Sequence, residues 1–299
     1  MKRSKWQGVF VVCVTPFAEN GAFDEAQTRK LVEILITEGA EGIVLAGSTG
    51  EWFAMSDDER IELFRVAADQ NKGRVKLLAG TSTIATPGAV RMTRAAKDLG
   101  LDGALVLPPP YILPTDRELF AYFEALDDVG LPIMLYNNPA RTGVNLDAKL
   151  IQRLLRFKSV VALKDSVKDL QQISATLRAH GDEIAIFTGI ETYIVPTVQR
   201  GGVGVVAMAP NILGRKAIAL YHHAVNGNWH EAAAVQLQID LVYDRMYGGT
   251  VNPYVVLKEG MRLMGRPGGH PRQPLMAMTA EERASLADLL ASFEKAKAP

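Results

Sequence analysis

The chain has 299 residues, which is enough for one large domain or two smaller ones and for a sizeable hydrophobic core. Its 33 basic and 33 acidic residues give a formal net charge of +0, so no charge excess predicts binding to nucleic acid or to an anionic membrane. The single cysteine, Cys13, excludes an internal disulfide bond and fits a reducing compartment, and we therefore expect a cytoplasmic protein.

The chain begins with MKRSKWQGVFVVCVTPF, in which basic residues precede a short apolar stretch as they do in a signal peptide. We interpret this apolar stretch instead as the first member of a series of buried strands. No apolar run in the chain approaches the roughly 20 residues that a membrane-spanning helix requires, so we expect no membrane association.

Eight short apolar runs recur along the chain. Each is apolar nearly throughout, which is typical of strands covered on both faces. The runs span residues 9–14, 42–47, 75–80, 103–107, 132–136, 160–164, 184–189 and 203–207. Segments with the helical spacing of apolar residues lie between them, for example residues 24–39, 56–73 and 86–100. In the second of these segments, Ser56 and Glu59 form a capping-box pattern.

Strands that alternate with helices predict an α/β fold, and eight of each predict a (β/α)8 TIM barrel. A doubly wound open sheet is the alternative, but it often carries a glycine-rich first turn, and the TPFAENG found there lacks G-x-G-x-x-G. We place the eighth helix at residues 211–227. The chain then divides into a catalytic barrel, residues 1–227, and a small C-terminal helical segment, residues 228–299, packed on the barrel.

Lys164 closes the sixth apolar run, in VVALKDS at residues 160–166. In a (β/α)8 barrel the chemistry lies at the C-terminal ends of the strands, which places this lysine at the mouth of the barrel. Its aliphatic stem could simply cover apolar surface while the ammonium group reaches water. Alternatively it is a Schiff-base nucleophile, because a low-dielectric pocket disfavours the charged form of an amine, and a lysine, unlike an arginine, can lose its proton.

Three other strand ends carry groups that suit the second interpretation. Tyr136 ends the neighbouring strand, so its phenol could carry protons during imine formation at Lys164. GSTGE, at residues 47–51, offers hydroxyl and backbone N–H groups that suit a carboxylate or a phosphate. Arg141, in YNNPARTG, suits a second carboxylate or is a surface charge. Tyr111 follows three prolines and, taken alone, could simply cap a stiff loop.

The motifs GSTGE, PPPYILP, YNNPARTG and VVALKDS, in this order and at these spacings, resemble those of the dihydrodipicolinate synthase / N-acetylneuraminate lyase superfamily. The resemblance extends from the VTPF of the first strand to the helical C-terminal segment. It implies a class I lyase that forms a Schiff base with pyruvate and uses neither a metal ion nor an organic cofactor.

The resemblance also implies roles for individual residues. Lys164 resembles the Schiff-base lysine, and Tyr136 resembles the general acid/base. Ser48 and Thr49 resemble the pair that binds the carboxylate of the 2-oxo acid and relays protons. Tyr111 resembles the tyrosine that family members lend to the active site of a neighbouring subunit, which implies a homodimer that shares this residue, usually within a homotetramer.

The same resemblance implies that three further residues contact the substrate. Arg141 resembles the arginine that meets the carboxylate of the incoming aldehyde in the synthases, and it favours that group over the sialic acid lyases. Gly189 and Val205 fall where the family lines its pyruvate pocket. Ser48 departs from the synthases, which usually carry a threonine at that position.

The substrate is less closely defined than the chemistry, and three functions remain open. The first, of the 4-hydroxy-tetrahydrodipicolinate synthase type, condenses pyruvate with an aldehyde or cleaves a 2-oxo acid. The second is a 2-keto-3-deoxy sugar acid aldolase or dehydratase, because GEWFAMS at residues 50–56 resembles a turn of those enzymes. The third is a catalytically silent protein that binds 2-oxo acids, although the retained Lys164, Tyr136 and Tyr111 argue for catalysis.

Overall fold

The structure is a computed structural model that describes residues 5–249 and 251–295. Residues 1–4, which begin the stretch that resembles a signal peptide, lie outside the described residues, as do residues 250 and 296–299 of the predicted C-terminal segment. In the described part of the chain, no helix combines the length and the apolar character that crossing a membrane requires.

Eight parallel strands form a closed barrel in which each strand pairs with the next and the last pairs with the first. This arrangement confirms the predicted (β/α)8 TIM barrel, and each strand overlaps one of the eight predicted apolar runs. The strands are β1 (Gly8–Val12), β2 (Gly42–Leu45), β3 (Lys76–Gly80), β4 (Gly103–Val106), β5 (Ile133–Asn137), β6 (Val160–Asp165), β7 (Ala185–Thr188) and β8 (Gly204–Ala207).

Helices surround the barrel and continue into the C-terminal segment. They are α1 (Glu25–Glu38), α2 (Asp57–Asn71), α3 (Thr86–Asp98), α4 (Asp116–Asp127), α5 (Pro139–Thr142), α6 (Ala148–Leu154), α7 (Leu170–His180), α8 (Ile194–Val198), α9 (Pro210–Leu213), α10 (Arg215–Val225), α11 (Trp229–Tyr247), α12 (Pro253–Leu263) and α13 (Ala280–Lys295). The predicted capping box is confirmed at the start of α2, where the Glu59 N–H donates to Ser56 Oγ and the Ser56 N–H donates to Glu59 Oε2.

The prediction of one continuous eighth helix over residues 211–227 is wrong. Gly214 interrupts it with a φ of 56°, so α9 and α10 are separate helices. A Cβ atom on Gly214 would lie 2.5 Å from Glu38 Oε1, and that carboxylate is held in place by Arg266. The position therefore requires glycine for both its backbone conformation and its space.

Side chains along the strands alternate between the barrel interior and the surrounding helices. On β1, Phe10 and Val12 belong to the apolar cluster inside the barrel, whereas Val9 and Val11 belong to the cluster between strands and helices. This period of two follows from the pleat of a β-strand. It decides which residues at a strand end can face the central cavity.

Aromatic rings fill the N-terminal end of the barrel. The ring centres of Trp6 and Phe10 lie 6.2 Å apart, and those of Phe10 and Phe187 lie 5.1 Å apart. Gly42 and Gly103 leave space for these rings, because a Cβ atom would lie 2.7 Å from the Phe10 ring at the first position and 2.4 Å from the Trp6 ring at the second. This end is therefore closed by apolar packing.

The C-terminal segment is tied to the opposite end of the barrel. α11 packs against α10, and α12 packs against α9. A buried ion pair joins Lys258 of α12 to Glu51 in the GSTGE turn, and Arg272 pairs with Glu59 of α2 at 2.6 Å. The segment thus contacts the turn that follows β2, while its predicted boundary at residue 227 stays a prediction.

Candidate active site

A cavity of about 430 Å³ lies at the C-terminal ends of the barrel strands. Six of the eight site residues predicted from the sequence line this cavity. They are Ser48, Thr49, Tyr136, Arg141, Lys164 and Gly189. The structure thus brings together, in one space, side chains that lie up to 141 positions apart in the chain (from 48 to 189).

Lys164 points into the cavity because of its place on β6. Ala162 belongs to the interior cluster and Leu163 to the outer one, so the alternation directs Lys164 inward. In the parallel register it stands beside Tyr136 of β5, and its Nζ lies 4.1 Å from the centre of the Tyr136 ring. Only 5% of Lys164 is exposed, so the amine is enclosed by protein rather than extended into solvent.

The Tyr136 phenol is surrounded by hydrogen-bonding and charged groups. Burial alone would raise the pKa of Tyr136, but the positive charge of Lys164 and hydrogen bonds with Asn138, Ser166 and Lys164 lower this pKa below its ordinary value. The Asn138 amide donates to the phenol oxygen at 2.9 Å. These contacts stabilise the phenolate form, so the group can give up its proton more readily than an ordinary tyrosine.

The GSTGE turn is held by close backbone packing. Its Ser48–Gly50 stretch forms one turn of 3₁₀ helix, and the Gly50 carbonyl accepts a hydrogen bond of 2.7 Å from the Thr15 hydroxyl. A Cβ atom on Gly47 would lie 2.9 Å from Val12 Cγ1, so a larger residue would displace the turn. The hydroxyl groups of Ser48 and Thr49 are thereby fixed at the edge of the cavity.

A buried ion pair supports this turn from behind. Lys258 contacts the Glu51 carboxylate, and its Nζ donates a second hydrogen bond of 2.8 Å to the His270 carbonyl. Burial lowers the pKa of Lys258 to about 8, although the charge of Glu51 and the hydrogen bond to it act in the opposite direction. The pair links the C-terminal segment to the residues that carry the predicted anion site.

Two buried carboxyl groups stand at neighbouring strand ends. Burial raises the pKa of Glu191, after β7, to about 7, while hydrogen bonds from the N–H groups of Ala209 and Met208 and the charge of Lys164 lower it. Burial raises the pKa of Asp165 to about 6, and Asp165 accepts a hydrogen bond from Asn137 outside the cavity. Among the residues that the structure describes, no acidic side chain lines the cavity itself.

Two of the predicted residues lie outside the cavity. Tyr111, in the loop after β4, is 87% exposed, so its contribution to a neighbouring subunit stays a prediction. The prediction that Val205 lines the cavity is wrong, because its side chain packs in the outer cluster between strands and helices. Val206, the next residue and hence on the opposite face of β8, lines the cavity instead.

Several residues that line the cavity were not predicted from the sequence. Tyr243 and Tyr247 of α11 and Tyr254 of α12 enclose the cavity from the C-terminal segment. The spacing of Tyr243 and Tyr247 indicates a shared helix face, but no pattern in the sequence indicates what that face covers. Ser166, the last residue of the VVALKDS motif, and Lys168, two residues beyond it, also line the cavity.

Within the described residues, no group of three or more histidine, cysteine, aspartate or glutamate side chains is arranged to hold a metal ion. The predicted independence from a metal stays a prediction.

Comparison with known proteins identifies relatives over almost the full chain. The model of the dihydrodipicolinate synthetase family matches residues 5–293. A protein of Rhizobium meliloti described as an uncharacterized DapA-like lyase is 42% identical over 272 residues, 91% of each chain. The 4-hydroxy-tetrahydrodipicolinate synthase of Geotalea uraniireducens is 36% identical over 289 residues, 96% of this chain and 99% of that one.

Solved structures show the same architecture. YagE, a prophage protein of E. coli K12 that belongs to the dihydrodipicolinic acid synthase family and was crystallised in complex with pyruvate, superposes with a TM-score of 0.92 at 26% identity. The superposition covers 97% of this chain and 99% of that one.

Proposed function

The chain belongs to the dihydrodipicolinate synthetase family, and from this premise we propose that it is a lyase that forms a Schiff base with pyruvate and joins it to an aldehyde, or runs the same reaction in reverse. The observation that carries the proposal is the buried Lys164 amine, 4.1 Å from the centre of the Tyr136 ring in a cavity of about 430 Å³. The complex of YagE with pyruvate supports pyruvate as the 2-oxo acid.

Imine formation is the first half of the proposed reaction. Lys164 Nζ, in its neutral form, forms a bond to C2 of pyruvate, and the ketone oxygen becomes the hydroxyl group of a carbinolamine. Tyr136 donates the proton with which this hydroxyl leaves as water, and a protonated C=N bond remains. The lowered pKa of Tyr136 supports this role, because the nearby positive charge stabilises the phenolate that is left behind.

Carbon–carbon bond formation is the second half. The protonated imine withdraws electrons from C3 of pyruvate, and transfer of a C3 proton to the Tyr136 phenolate gives an enamine. Its C3 attacks the aldehyde carbon, and the aldehyde oxygen takes up the proton from Tyr136. Water then hydrolyses the imine and restores Lys164. Because the imine itself accepts the electrons, the proposed reaction needs neither a metal ion nor an organic cofactor.

The cavity wall supports the binding of a 2-oxo acid at Lys164. Ser48 and Thr49 offer hydroxyl groups that suit the pyruvate carboxylate. Gly189 leaves room for the lysine stem, since a Cβ atom there would lie 2.7 Å from Lys164 Cε and 2.0 Å from Ser166 Oγ. Arg141 at the mouth suits an acid group on the aldehyde.

The proposal extends to the assembly. Tyr111 and its neighbours Ile112 and Leu113 are 87%, 52% and 62% exposed. Such exposure is unusual for three consecutive large apolar side chains in a surface loop. We propose that this loop enters the site of a second copy in a homodimer, within a homotetramer.

Reductive trapping tests the proposed function. Borohydride added with pyruvate should reduce the imine and add one pyruvate-sized mass to the peptide that contains Lys164, as read by mass spectrometry. Lys164→Ala should abolish both the adduct and turnover, whereas Lys158→Ala, a change to an exposed lysine before β6, should preserve both. An adduct on another lysine, or none, would overturn the assignment, and an adduct without turnover of any aldehyde would favour the silent binding protein.

A dehydratase that acts on 2-keto-3-deoxy sugar acids through the same imine is the second candidate. It is favoured by Phe53 of the GEWFAMS turn, whose ring centre lies 6.2 Å from that of the cavity residue Tyr254, so this turn can shape the cavity. A panel of 2-oxo acids separates the two activities, because an aldolase releases pyruvate and a dehydratase consumes its substrate without releasing any.

A further inference from the structure

Two cations stand at the mouth of the cavity without acidic partners. Arg141 and Lys168 both line the cavity, and both are exposed to solvent on their outer side. Among the described residues neither side chain takes part in an ion pair, and no acidic residue lines the cavity. We propose that Lys168 is a specificity-determining residue that, together with Arg141, selects an aldehyde carrying a phosphate monoester at the end remote from its carbonyl group.

Charge balance is the first step, and it rests on the proposed function of Lys164 as the imine-forming residue. In the imine the positive charge on Lys164 is balanced by the carboxylate of pyruvate. Arg141 and Lys168 then leave two positive charges facing the space through which the aldehyde enters. A single carboxylate would balance only one of them, whereas a phosphate monoester, with a charge of about −2 at neutral pH, balances both.

Aromatic rings hold the two cations at the mouth. Lys168 Nζ lies 5.6 Å from the centre of the Tyr247 ring, and Arg141 Cζ lies 5.8 Å from the centre of the Tyr254 ring. Tyr243 supports Tyr247, with ring centres 4.4 Å apart. Contact with a ring face orients a cation. Arg141 also hydrogen-bonds the Tyr254 phenol, but a guanidinium has five N–H donors and an ammonium group three, so donors stay available for phosphate oxygens.

The chain limits the separation of the two lysines. Lys168 follows Lys164 by four residues, so their Cα atoms are at most about 14 Å apart. An aldehyde bonded at its carbonyl carbon to C3 of the pyruvate imine can therefore extend toward Lys168. The phosphate takes no part in bond formation, since the new bond joins pyruvate C3 to the aldehyde carbon and the proton goes to the aldehyde oxygen.

The experiment compares three aldehydes as partners for pyruvate: glyceraldehyde 3-phosphate, the monoanion succinic semialdehyde, and neutral glyceraldehyde. For the unmodified enzyme we expect the highest kcat/KM with the phosphate. Lys168→Gln should lower the ratio of kcat/KM for glyceraldehyde 3-phosphate to that for glyceraldehyde by about tenfold to a hundredfold, because it removes a charge-assisted hydrogen bond. Lys168→Arg should restore most of the ratio, and the exposed control Lys158→Gln should leave it unchanged.

Several results would overturn the inference. Preference of the unmodified enzyme for glyceraldehyde would contradict the inference. Preference for succinic semialdehyde would also overturn it, because the site would then select a single carboxylate rather than a phosphate. An equal loss with all three aldehydes in Lys168→Gln would assign Lys168 a structural role. Borohydride trapping of pyruvate keeps the two proposals distinguishable: an enzyme that traps pyruvate without preferring the phosphate contradicts only this inference, whereas failure to trap contradicts the proposed function.

Discussion

The two ends of the barrel are built from the same eight strands but from different side chains. At the N-terminal end, the Phe10 ring packs against the rings of Trp6 and Phe187 inside the barrel. At the C-terminal end, the interior cluster gives way to Lys164 and Tyr136 and to a cavity of about 430 Å³. One end is filled by apolar packing, and the other encloses titratable groups.

The difference shows how the fold separates stability from chemistry. Apolar burial stabilises the folded state in proportion to the area removed from water, whereas enclosing an amine or a carboxyl group carries a free-energy cost. In this protein Lys164, Asp165 and Glu191 all lie at the C-terminal end, where neighbouring strands bring them together. A change at the N-terminal end should therefore reduce stability, and a change at the C-terminal end should reduce activity.

Lys164→Met offers the largest expected effect on activity. Methionine has similar length and no amine, so turnover should fall by about 10⁴-fold or more through loss of the nucleophile. The free energy of unfolding should change by no more than about 1 kcal/mol, because an apolar side chain of similar volume replaces a buried amine. Steady-state kinetics and urea denaturation measure the two effects, and a loss of several kcal/mol would contradict the separation of the two ends.

Phe10→Ala is the converse change at the N-terminal end. Phe10 is 1% exposed and contacts both Trp6 and Phe187, so its removal leaves a cavity and should lower the free energy of unfolding by about 3–5 kcal/mol. At a temperature where the variant remains folded, its kcat/KM should stay within about twofold of the unmodified enzyme. A large fall in kcat/KM of the folded variant would mean that the two ends are mechanically coupled.

The barrel and the central pair of the site could be predicted because both depend on local signals. Runs of apolar residues indicate strands covered on both faces, and the order of those strands places Tyr136 beside Lys164. Successive strands in a barrel are neighbours, so no long-range information was needed for this pair. The motif residues Ser48, Thr49, Arg141 and Gly189 reached the same cavity for the same reason.

The errors arose where a local pattern is uninformative. Every residue of β8 is buried, so its sequence does not indicate whether Val205 or Val206 faces inward. The tyrosines of α11 and α12 reach the cavity only because the C-terminal segment docks on the barrel, through contacts such as the ion pair of Lys258 with Glu51, which lie 207 positions apart. Composition and periodicity do not identify such partners.

Glu191→Gln measures the free-energy cost of enclosing a carboxyl group at the C-terminal end of the barrel. Burial raises the pKa of Glu191 from 4.5 to about 7, so the folded state binds this proton more tightly than the unfolded state does. Its contribution to stability is therefore fully present below about pH 4.5 and is lost as the pH rises through about 7. Glutamine does not ionise, and its amide oxygen can still accept the 2.7 Å hydrogen bond from the Ala209 N–H.

The free energy of unfolding of Glu191→Gln, relative to the unmodified protein, should therefore increase between pH 5 and pH 8, by about 3 kcal/mol at most. Urea denaturation at intervals of one pH unit measures this difference directly. Glu124→Gln on the exposed face of α4 is the matched control, because it makes the same substitution at an exposed carboxyl group. If the two variants gave parallel curves, the buried carboxyl group would carry no such cost, and the contrast between the two ends of the barrel would be limited to activity.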